Sequence, residues 1–343
     1  MSGKPIKNME QFASVSGISR PTVSKYFNDP TSVRPSTRSR IESALERYDY
    51  RPNIYAINQN RRLTRNVGII VPYLFDPFFA EIARSIERLC IEAGYRPILF
   101  NSHGDPATER ENLDALSALK PAGALIAPLG RASDQGEIER FCEMVPTVLF
   151  DSNINGIAKA FVGSNNAQSI DLIVKHLCNT GEPPSLFEIE TAPNPNANKR
   201  RDAYIAAMER LGHQPDLIQV KGEGWDFEEI GFLRGTEALR DRRFRTNTVL
   251  CSNDRLAIGL LAAAHECGLR VGKGGRYALR IAGHDDHPFS RFTCPSLTTV
   301  SQDYASISAT SLETLMRVAD LESENKERET TLFDGTLVVR QSA

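Results

Sequence analysis

The chain has 343 residues, of which 41% are hydrophobic and 24% are charged, and its formal net charge at pH 7 is −2. These values are ordinary for folded proteins and exclude a disordered chain, a collagen and a coiled coil. The length predicts two or three domains. No apolar run approaches the roughly 18 residues that a membrane helix needs, and the polar residues 1–5 are unlike a signal peptide. We therefore expect a cytoplasmic protein.

The small net charge conceals two oppositely charged parts of the chain. Residues 1–65 hold twelve Lys and Arg residues against five Asp and Glu residues, a balance of +7 that leaves −9 for the rest. A basic segment joined to an acidic body is typical of a polyanion-binding module attached to a second functional unit. A solvated charged surface would have the same composition, so the pattern inside the basic segment decides between the two interpretations.

The basic segment has the pattern of a helix-turn-helix. Apolar residues recur roughly at helical spacing over residues 8–17, and Gly17 ends this first helix. Ser19 is a suitable N-cap for a second helix that runs to about Phe27, and a third helix begins near Pro35. Two short helices joined by a tight glycine turn, the second of them basic, match the geometry that enters the major groove of DNA.

The order of residues within this segment is more specific than its helices. It contains Phe12-Ala13-x-x-Ser16-Gly17-Ile18-Ser19-x-x-Thr22-Val23-Ser24-Lys25-x-x-Asn28, then Val33-Arg34-x-x-Thr37 and Tyr50-Arg51-Pro52-Asn53. This order resembles the head of LacI/GalR (lactose-repressor) family regulators. The resemblance implies an all-α DNA-binding head at residues 1–52 and a hinge at residues 53–65. It implies DNA contacts from Ser19, Arg20, Pro21, Thr22, Ser24, Lys25, Asn28, Arg34, Thr37, Asn53, Tyr55, Gln59 and Arg61.

Two of these positions carry distinct expectations. Arg20 begins the second helix, where a guanidinium can span O6 and N7 of guanine, although a phosphate contact is the alternative. In the family a hinge leucine wedges into the minor groove, and a count without gaps from Pro52 to Val67 puts Gln59 there. An apolar wedge is buried between bases, so we expect Gln59 to kink the operator less than the family's leucine.

Beyond residue 65 the sequence alternates between short apolar strands and helical stretches. We predict strands at residues 67–71, 96–100, 122–127, 145–150, 185–189, 218–220, 248–252 and 278–282, and helices at residues 79–94, 168–177, 201–211, 227–239 and 254–267. Repeated βα units of this length predict parallel sheets with helices on both faces. Ligands of such sheets bind at the carboxyl ends of the strands, which here are followed by polar and aromatic residues.

The body also contains specific residue patterns. These are Ser252-Asn253-Asp254-x-x-Ala257-Ile258-Gly259, Ile281-x-Gly283-His284-Asp285-Asp286 and Pro295-x-Leu297-Thr298-Thr299-Val300. They resemble the effector-domain signatures of the same family, whose fold is similar to that of periplasmic sugar-binding proteins. The resemblance implies an effector-binding and dimerisation domain at residues 66–343, made of two doubly wound parallel-sheet lobes. Lobe N covers about 66–163 and 296–330, and lobe C about 164–292.

The resemblance and the strand ends together predict an effector site between the lobes. The candidate residues are Asp76, Phe78, His103, Asp105, Asn196, Arg200, Trp225, Asn253, Asp285 and Gln302. By resemblance, Arg200 would donate two hydrogen bonds to ligand hydroxyls, Trp225 would stack on an apolar ring face, and Asp285 would accept from two hydroxyls.

Enzymatic function has little support in the sequence. The chain lacks the Gly-x-Ser-x-Gly, Walker and His-Glu-x-x-His motifs. The run His284-Asp285-Asp286-His287 suggests a metal, but alternating residues on one loop give poor tetrahedral geometry. We therefore expect no catalytic residue, no metal and no cofactor. The six cysteines are spread singly, which favours buried free thiols over disulfides or zinc.

These observations predict a sequence-specific DNA-binding repressor that acts as a homodimer, or a tetramer, on a pseudo-palindromic operator. A small effector, a sugar or polyol, would control it from between the lobes. One alternative keeps the DNA function with a corepressor, such as a purine, or a sugar phosphate as the ligand. The other is a sugar-binding transport protein, which does not account for the basic head.

Overall fold

A computed structural model describes residues 6, 8–28, 30–48, 50, 64–274, 277–320 and 328–343. The chain divides into two compact units, Met1–Thr64 and Arg65–Ala343. The expected hinge contacts Asn53, Tyr55, Gln59 and Arg61 lie outside the described residues. Their roles therefore stay predictions.

The first unit contains the three predicted helices. They are α1 (Met9–Ser16), α2 (Arg20–Asn28) and α3 (Pro35–Tyr48), with a 3-10 turn at Pro30–Ser32. The side chain of Asn8 caps α1 by accepting from the Gln11 amide at 2.9 Å, and Gly17 ends it with a φ of 64°. A residue with a Cβ rarely adopts this left-handed backbone, so the glycine sets the tight turn before α2.

A small apolar core holds these helices together. Phe12 and Tyr50 stack with their ring centroids 4.8 Å apart, and Val23 and Ile41 are fully buried beside them. The exception is Val15, which belongs to the predicted apolar pattern but is 47% exposed. It lies about 100° around the helix from the middle of the buried face, too far to reach the core.

The second unit is built from alternating strands and helices. Its helices are α4 (Pro77–Glu92), α5 (Pro106–Ala118), α6 (Gln135–Met144), α7 (Asn166–Thr180), α8 (Asn196–Arg210), α9 (Phe227–Arg240), α10 (Asp254–Glu266) and α11 (Tyr304–Asp320). Its strands are β1 (Asn66–Val71), β2 (Arg96–Asn101), β3 (Gly123–Ile126), β4 (Thr147–Phe150), β5 (Ala160–Ser164), β6 (Ser185–Ile189), β7 (Leu217–Val220), β8 (Thr248–Cys251), β9 (Arg280–Ala282), β10 (Thr299–Ser301), β11 (Glu329–Phe333) and β12 (Thr336–Val338). A 3-10 turn at Gly130–Ala132 follows β3.

The strands form two parallel sheets, which define the two lobes. Lobe N has the strand order β11-β5-β4-β3-β1-β2, and lobe C has the order β7-β6-β8-β9. Every pairing within these two sheets is parallel. The predicted parallel α/β body is therefore confirmed. Strands β10 and β12 form a separate antiparallel ribbon.

The last segments of the chain cross between the lobes in a way that the strand–helix alternation does not predict. Helix α11 packs against α4 and against β3, β4 and β5 of lobe N, and β11 then extends the lobe N sheet. The chain returns to lobe C at its end, where Ser342 accepts from the Ile281 amide at 3.1 Å and Ala343 is buried.

Helix α8 begins earlier than predicted, and this difference positions the candidate site. It starts at Asn196 rather than at Arg201, and the side chain of Asn194 accepts from the Asn196 amide at 2.9 Å. Residues four apart on a helix share a face, so Asn196 and Arg200 project together. Both are buried.

All six cysteines are free, as predicted, but their burial varies. Cys90 and Cys251 are buried, Cys142, Cys178 and Cys267 are half-buried, and Cys294 is exposed. The expectation of buried thiols is therefore wrong for Cys294, which lies in the loop that follows β9 rather than on a helix. No helix of the described segments has the length and hydropathy needed to cross a membrane.

Candidate functional site

The candidate DNA interface of the first unit is the outer face of α2. Arg20, Pro21 and Lys25 are exposed on it, whereas Thr22 and Ser24 are half-buried. The Ser19 hydroxyl lies 2.8 Å from the Thr22 hydroxyl and 3.4 Å from the Thr22 amide, which is the capping position expected for it. The exposed guanidinium and ammonium groups are suited to contacts with bases and phosphates.

The remaining head residues lie at the ends of helices. Asn28 is the last residue of α2, and Arg34 lies immediately before α3 and is exposed. Thr37 is half-buried in the first turn of α3, where its amide donates to the Arg34 carbonyl at 3.0 Å. All three positions follow the exposed start of α2 in the sequence, and their contacts with DNA stay predictions.

The second unit contains a buried polar cluster at the carboxyl ends of the lobe C strands. Arg200 of α8 is at its centre, with a side chain only 5% exposed. Its Nη2 donates to Asp285 Oδ1 at 2.7 Å, its Nε to Asn166 Oδ1 at 3.0 Å, and its Nη1 to the Ser252 carbonyl at 2.8 Å. This network fixes the guanidinium, because charge-assisted hydrogen bonds are strong in a site with little water.

Asp285 joins Arg200 to the segments that cross between the lobes. Its Oδ1 also accepts from Gln302 Nε2 at 2.7 Å, and its carbonyl accepts from the Tyr304 hydroxyl. Burial raises the pKa of Asp285, but Arg200 and His284 outweigh this effect and hold the pKa below its ordinary value. The carboxylate is therefore ionised at neutral pH. Its φ of 121° is rare for an L-residue, which is typical of a functional position.

A second set of polar contacts connects lobe N with α8. Asn196 Nδ2 donates to Asp151 Oδ1 at 2.8 Å and to the Asp151 carbonyl at 3.2 Å. Asn196 Oδ1 in turn accepts from Lys199 Nζ at 3.0 Å. Lys199 Nζ lies 5.5 Å from the ring centroid of Phe161, which belongs to β5 of lobe N. Asn196 is therefore a contact between the lobes.

Aromatic rings from both lobes pack beside the polar cluster. Trp225, which follows β7, is buried and stacks on Tyr73 of lobe N at a centroid distance of 5.3 Å and an interplanar angle of 17°. A Cβ on Gly104 would lie 2.6 Å from Trp225 Nε1, so only glycine leaves room for the indole there. Phe78 is buried and meets Tyr304 edge to face at 5.4 Å. These rings offer apolar faces of the kind that sugars and bases stack on.

Asp76 and Arg255 form a further polar contact between the lobes. Asp76 caps α4, accepting from the Phe78 amide at 3.0 Å through Oδ1, while its Oδ2 accepts from Arg255 Nη1 at 3.2 Å. Arg255 belongs to α10 of lobe C and also donates to both carboxylate oxygens of Glu228, each at 2.7 Å. Asp76 thus lies in the predicted region, next to an arginine that the sequence analysis missed.

Three other predicted residues have capping or peripheral positions. Asn253 caps α10 by accepting from the Leu256 amide at 2.8 Å, and it follows Ser252, whose carbonyl contacts Arg200. Asp105 is exposed and accepts from the amide and hydroxyl of Thr108 at the start of α5. His103 is exposed, with its Nδ1 3.2 Å from Asn101 Nδ2. Neither His103 nor Asp105 has a contact with the polar cluster among the hydrogen bonds of the described residues.

The His-Asp-Asp-His loop is accounted for by hydrogen bonds. His284 is fully buried and its Nδ1 contacts Asp285 Oδ1 at 2.9 Å, while Asp286 pairs with Arg340 at 2.6 Å. Burial and the nearby Arg200 lower the pKa of His284 to about 4, so its ring is neutral at pH 7. Within the part of the chain that the structure describes, no group of three His, Cys, Asp or Glu side chains is arranged to hold a metal ion.

The residues that the sequence analysis missed include Asn166 beside Arg200, together with Tyr73, Asp151, Lys199, Arg255 and Tyr304. Asp151 immediately follows β4, so the rule that places ligands at strand ends could have identified it. Arg255 has no such signal, because it lies in the first turn of a helix and contacts Asp76, which is 179 positions away in the sequence. Only the packing of the two lobes brings these two side chains together.

Asp151 is a buried carboxyl that titrates near neutral pH. Burial raises its pKa from 3.8 to about 7, although Lys199 and Arg200 oppose the shift. Because the pKa is higher in the folded state than in the unfolded state, the folded state binds this proton more tightly. Its contribution to stability is therefore fully present below about pH 4 and is lost as the pH rises to about 7.

As the pH rises from about 4 to about 7, we expect the unfolding free energy of the Asp151→Asn variant to fall less than that of the parent protein. Asparagine keeps an oxygen for Asn196 Nδ2 and tolerates the φ of 58° at this position. Urea denaturation at a series of pH values measures the difference. Asp134→Asn at the exposed cap of α6 is the control and should keep the parent slope. Parallel pH curves for Asp151→Asn and the parent protein would contradict the assignment.

Two family models match the chain. Residues 8–53 match the model of bacterial regulatory proteins of the lacI family, and residues 176–343 match the periplasmic binding protein-like domain. The chain is a LacI-family transcriptional regulator. The predictions of a helix-turn-helix head, a periplasmic-binding-protein-like body and a regulatory function are confirmed.

Curated relatives of this regulator are transcriptional repressors. It is 28% identical over 295 residues to the ribose operon repressor of Escherichia coli (strain K12), with 86% of this chain and 87% of the relative covered. It is 27% identical over 342 residues to the HTH-type transcriptional repressor PurR of Mannheimia succiniciproducens, with 97% of this chain and 98% of the relative covered. Both relatives are named as repressors and neither as an enzyme.

Solved structures share the fold. The Lac repressor bound to ONPG in the repressed state has a TM-score of 0.82 at 23% identity and covers 99% of this regulator and 100% of its own chain. A LacI family transcriptional regulator from Enterococcus faecium, with bound ribose, has a TM-score of 0.67 at 23% identity and covers 81% and 98% respectively.

Proposed function

We propose that this regulator is a cytoplasmic, non-catalytic repressor whose homodimer binds a pseudo-palindromic operator and responds to a small neutral polyol such as a sugar. The observation that supports the effector site is the buried cluster of Arg200, Asp285 and Gln302 beside Trp225 and Phe78. It combines fixed hydrogen-bond donors and acceptors with aromatic faces, which is the chemistry that sugar recognition requires.

The charges around the cluster favour a neutral effector. Arg200 pairs with Asp285, and Arg255 pairs with Asp76 and Glu228. Lys199 is attracted by Asp151. A phosphate or carboxylate ligand would compete with these carboxylates for cations that are already neutralised. Hydroxyl groups can add hydrogen bonds without that competition, which argues against a sugar phosphate.

A purine corepressor is the second candidate. The stacked rings of Trp225 and Tyr73, with Phe79 6.0 Å from Trp225, can accept a flat base as well as a sugar. The similarity to a repressor named PurR adds support, and the similarity to ribose operon repressors supports the sugar. A transport function fits less well, because a transport protein has no use for the helix-turn-helix head.

A thermal-shift panel of neutral pentoses, hexoses, polyols, sugar phosphates and purine bases separates these candidates. We expect a neutral sugar or polyol to raise the Tm of the full chain. At a hundredfold excess of the ligand over its Kd, the unfolding free energy should increase by about 2.7 kcal/mol. The same compound should weaken operator binding in a gel-shift titration. A rise in Tm with purine bases alone, together with tighter operator binding, would favour the corepressor instead.

The head is tested separately with Arg20→Ala. If Arg20 contacts guanine, the variant should bind its operator about 1–3 kcal/mol more weakly and discriminate less at one base pair. A selection from random DNA followed by competition gel shifts measures both effects. Arg40→Ala, at an exposed arginine of α3, is the matched control for loss of one positive charge. Equal weakening on every DNA sequence would indicate a phosphate contact.

A further inference from the structure

Arg255 and Asp76 form an ion pair that joins the two lobes outside the Arg200 cluster. Among the ion pairs of the described residues, it is the only one between the lobes in which both side chains are largely shielded from water. The side chain of Arg255 is 6% exposed and that of Asp76 is 14% exposed. Asp76 belongs to the start of α4 in lobe N and Arg255 to the first turn of α10 in lobe C. Their contact therefore exists only while the lobes are closed.

The surroundings of Arg255 hold its guanidinium in position from lobe C alone. Glu228 accepts from Nε and Nη2, so one whole edge of the guanidinium is occupied within this lobe. The Phe227 ring lies beneath the charge, with the ring centroid 5.1 Å from Arg255 Cζ. These contacts leave Nη1 directed at Asp76. An arginine fixed in this way loses little conformational entropy when the lobes close.

In the closed form, the ionised Asp76 carboxylate is unfavourable unless Arg255 pairs with it. Burial raises the pKa of Asp76, and Arg255 provides the largest opposing effect. Asp285 also disfavours the ionised form. When the lobes open, Asp76 regains water and needs no partner. Loss of Arg255 therefore penalises the closed form much more than the open form, because an unpaired buried charge is strongly unfavourable.

We propose that Arg255, oriented by Glu228, and Asp76 form a latch that stabilises the closed arrangement of the two lobes. Asp76 is then a residue of lobe closure rather than a contact of the effector. Closure of the lobes then depends on two side chains that need not touch the ligand. The apparent affinity for a ligand that binds the closed form depends on the same two side chains, because it follows the fraction of closed molecules. This inference does not depend on the chemical class of the effector.

The single tryptophan of the chain reports lobe closure directly. Trp225 follows a lobe C strand and stacks on Tyr73 of lobe N, so opening separates the two rings and exposes the indole to water. We expect Asp76→Asn and Arg255→Met to shift the Trp225 emission to longer wavelength and to increase its quenching by acrylamide in the ligand-free full-length protein. The ratio of closed to open molecules should fall by about tenfold or more.

A double variant and a matched control make the test specific. Asp76→Asn/Arg255→Met should be no more open than either single variant, because the contact is lost only once and no unpaired buried charge remains. Arg234→Met is the control, since Arg234 pairs with Glu237 on the exposed surface of α9 within one lobe. It should keep the parent emission.

Two results would overturn the latch. One is parent-like emission and quenching in both single variants. The other is additive effects in the double variant, which would show that the two residues act independently. Far-UV circular dichroism checks that each variant is folded. If Arg255→Met does not fold, Asp76→Asn decides the question alone, because its amide keeps an oxygen to cap the Phe78 amide.

Discussion

Asp285→Asn should abolish the response to the effector and lower the unfolding free energy by about 3–5 kcal/mol. The substitution keeps the size of the side chain and suits the positive φ of this position. It removes the charge that pairs with Arg200, whose guanidinium is buried and cannot move to water. An uncompensated buried cation is the physical reason for the large loss of stability.

The measurements are urea denaturation and operator gel shifts with and without the compound that raises the Tm most in the panel. Asp286→Asn is the matched control because it is the next residue, also has a positive φ, and pairs with Arg340 rather than with Arg200. We expect the control to retain the effector response. An Asp285→Asn protein that releases its operator at the same effector concentration as the parent would refute the assigned role.

Gly259→Ala should destabilise lobe C by about 1–3 kcal/mol or more. Gly259 lies where α10 crosses α9 closely, and a Cβ there would lie 2.2 Å from the Glu228 carbonyl oxygen and 2.7 Å from the Phe232 amide nitrogen. These are backbone atoms of the neighbouring helix, so they cannot rotate away as a side chain would. The gain of about 1 kcal/mol in helix propensity is too small to offset separation of the helices.

Gly136→Ala is the matched control for this prediction. Gly136 is also helical, but the nearest atom to its added Cβ is Asp134 Oδ1 at 3.6 Å, an ordinary contact distance. We expect this variant to be as stable as the parent or more stable by up to about 1 kcal/mol. Thermal and urea unfolding compare the two variants. If Gly259→Ala were as stable as Gly136→Ala, α9 and α10 would not be packed at the observed distance.

Much of the architecture follows from local sequence signals. The first two head helices have local signals at their ends: the side chains of Asn8 and Ser19 accept from first-turn amides, and Gly17 adopts the left-handed backbone that ends α1. Strand β3 is a continuous apolar run and β1 is apolar after Asn66, which is what burial on both faces requires. For this reason, the helix-turn-helix and the parallel sheets could be predicted from the sequence.

The start of α8 shows where local signals become insufficient. The Asn- and Pro-rich stretch before Arg201 favours a loop by propensity, yet the helix begins at Asn196. Packing of its first turn against lobe N, through Asn196 and Asp151, outweighs that weak preference. The early start places Arg200 and Asn196 on one buried face.

By itself, the sequence determined the LacI-type head, the two-lobed parallel body and the types of residue at the strand ends, since these depend on neighbours in the chain. Only the tertiary structure decided which polar groups meet. Asp285 faces Arg200 because the lobe C sheet brings together the ends of strands that lie far apart in the chain, and Asp76 faces Arg255 because the two lobes pack against each other. Hydrogen bonds and ion pairs act over a few ångströms in space. The partners 85 positions apart therefore become visible only once the lobe C sheet is assembled, and those 179 positions apart only once the two lobes are packed.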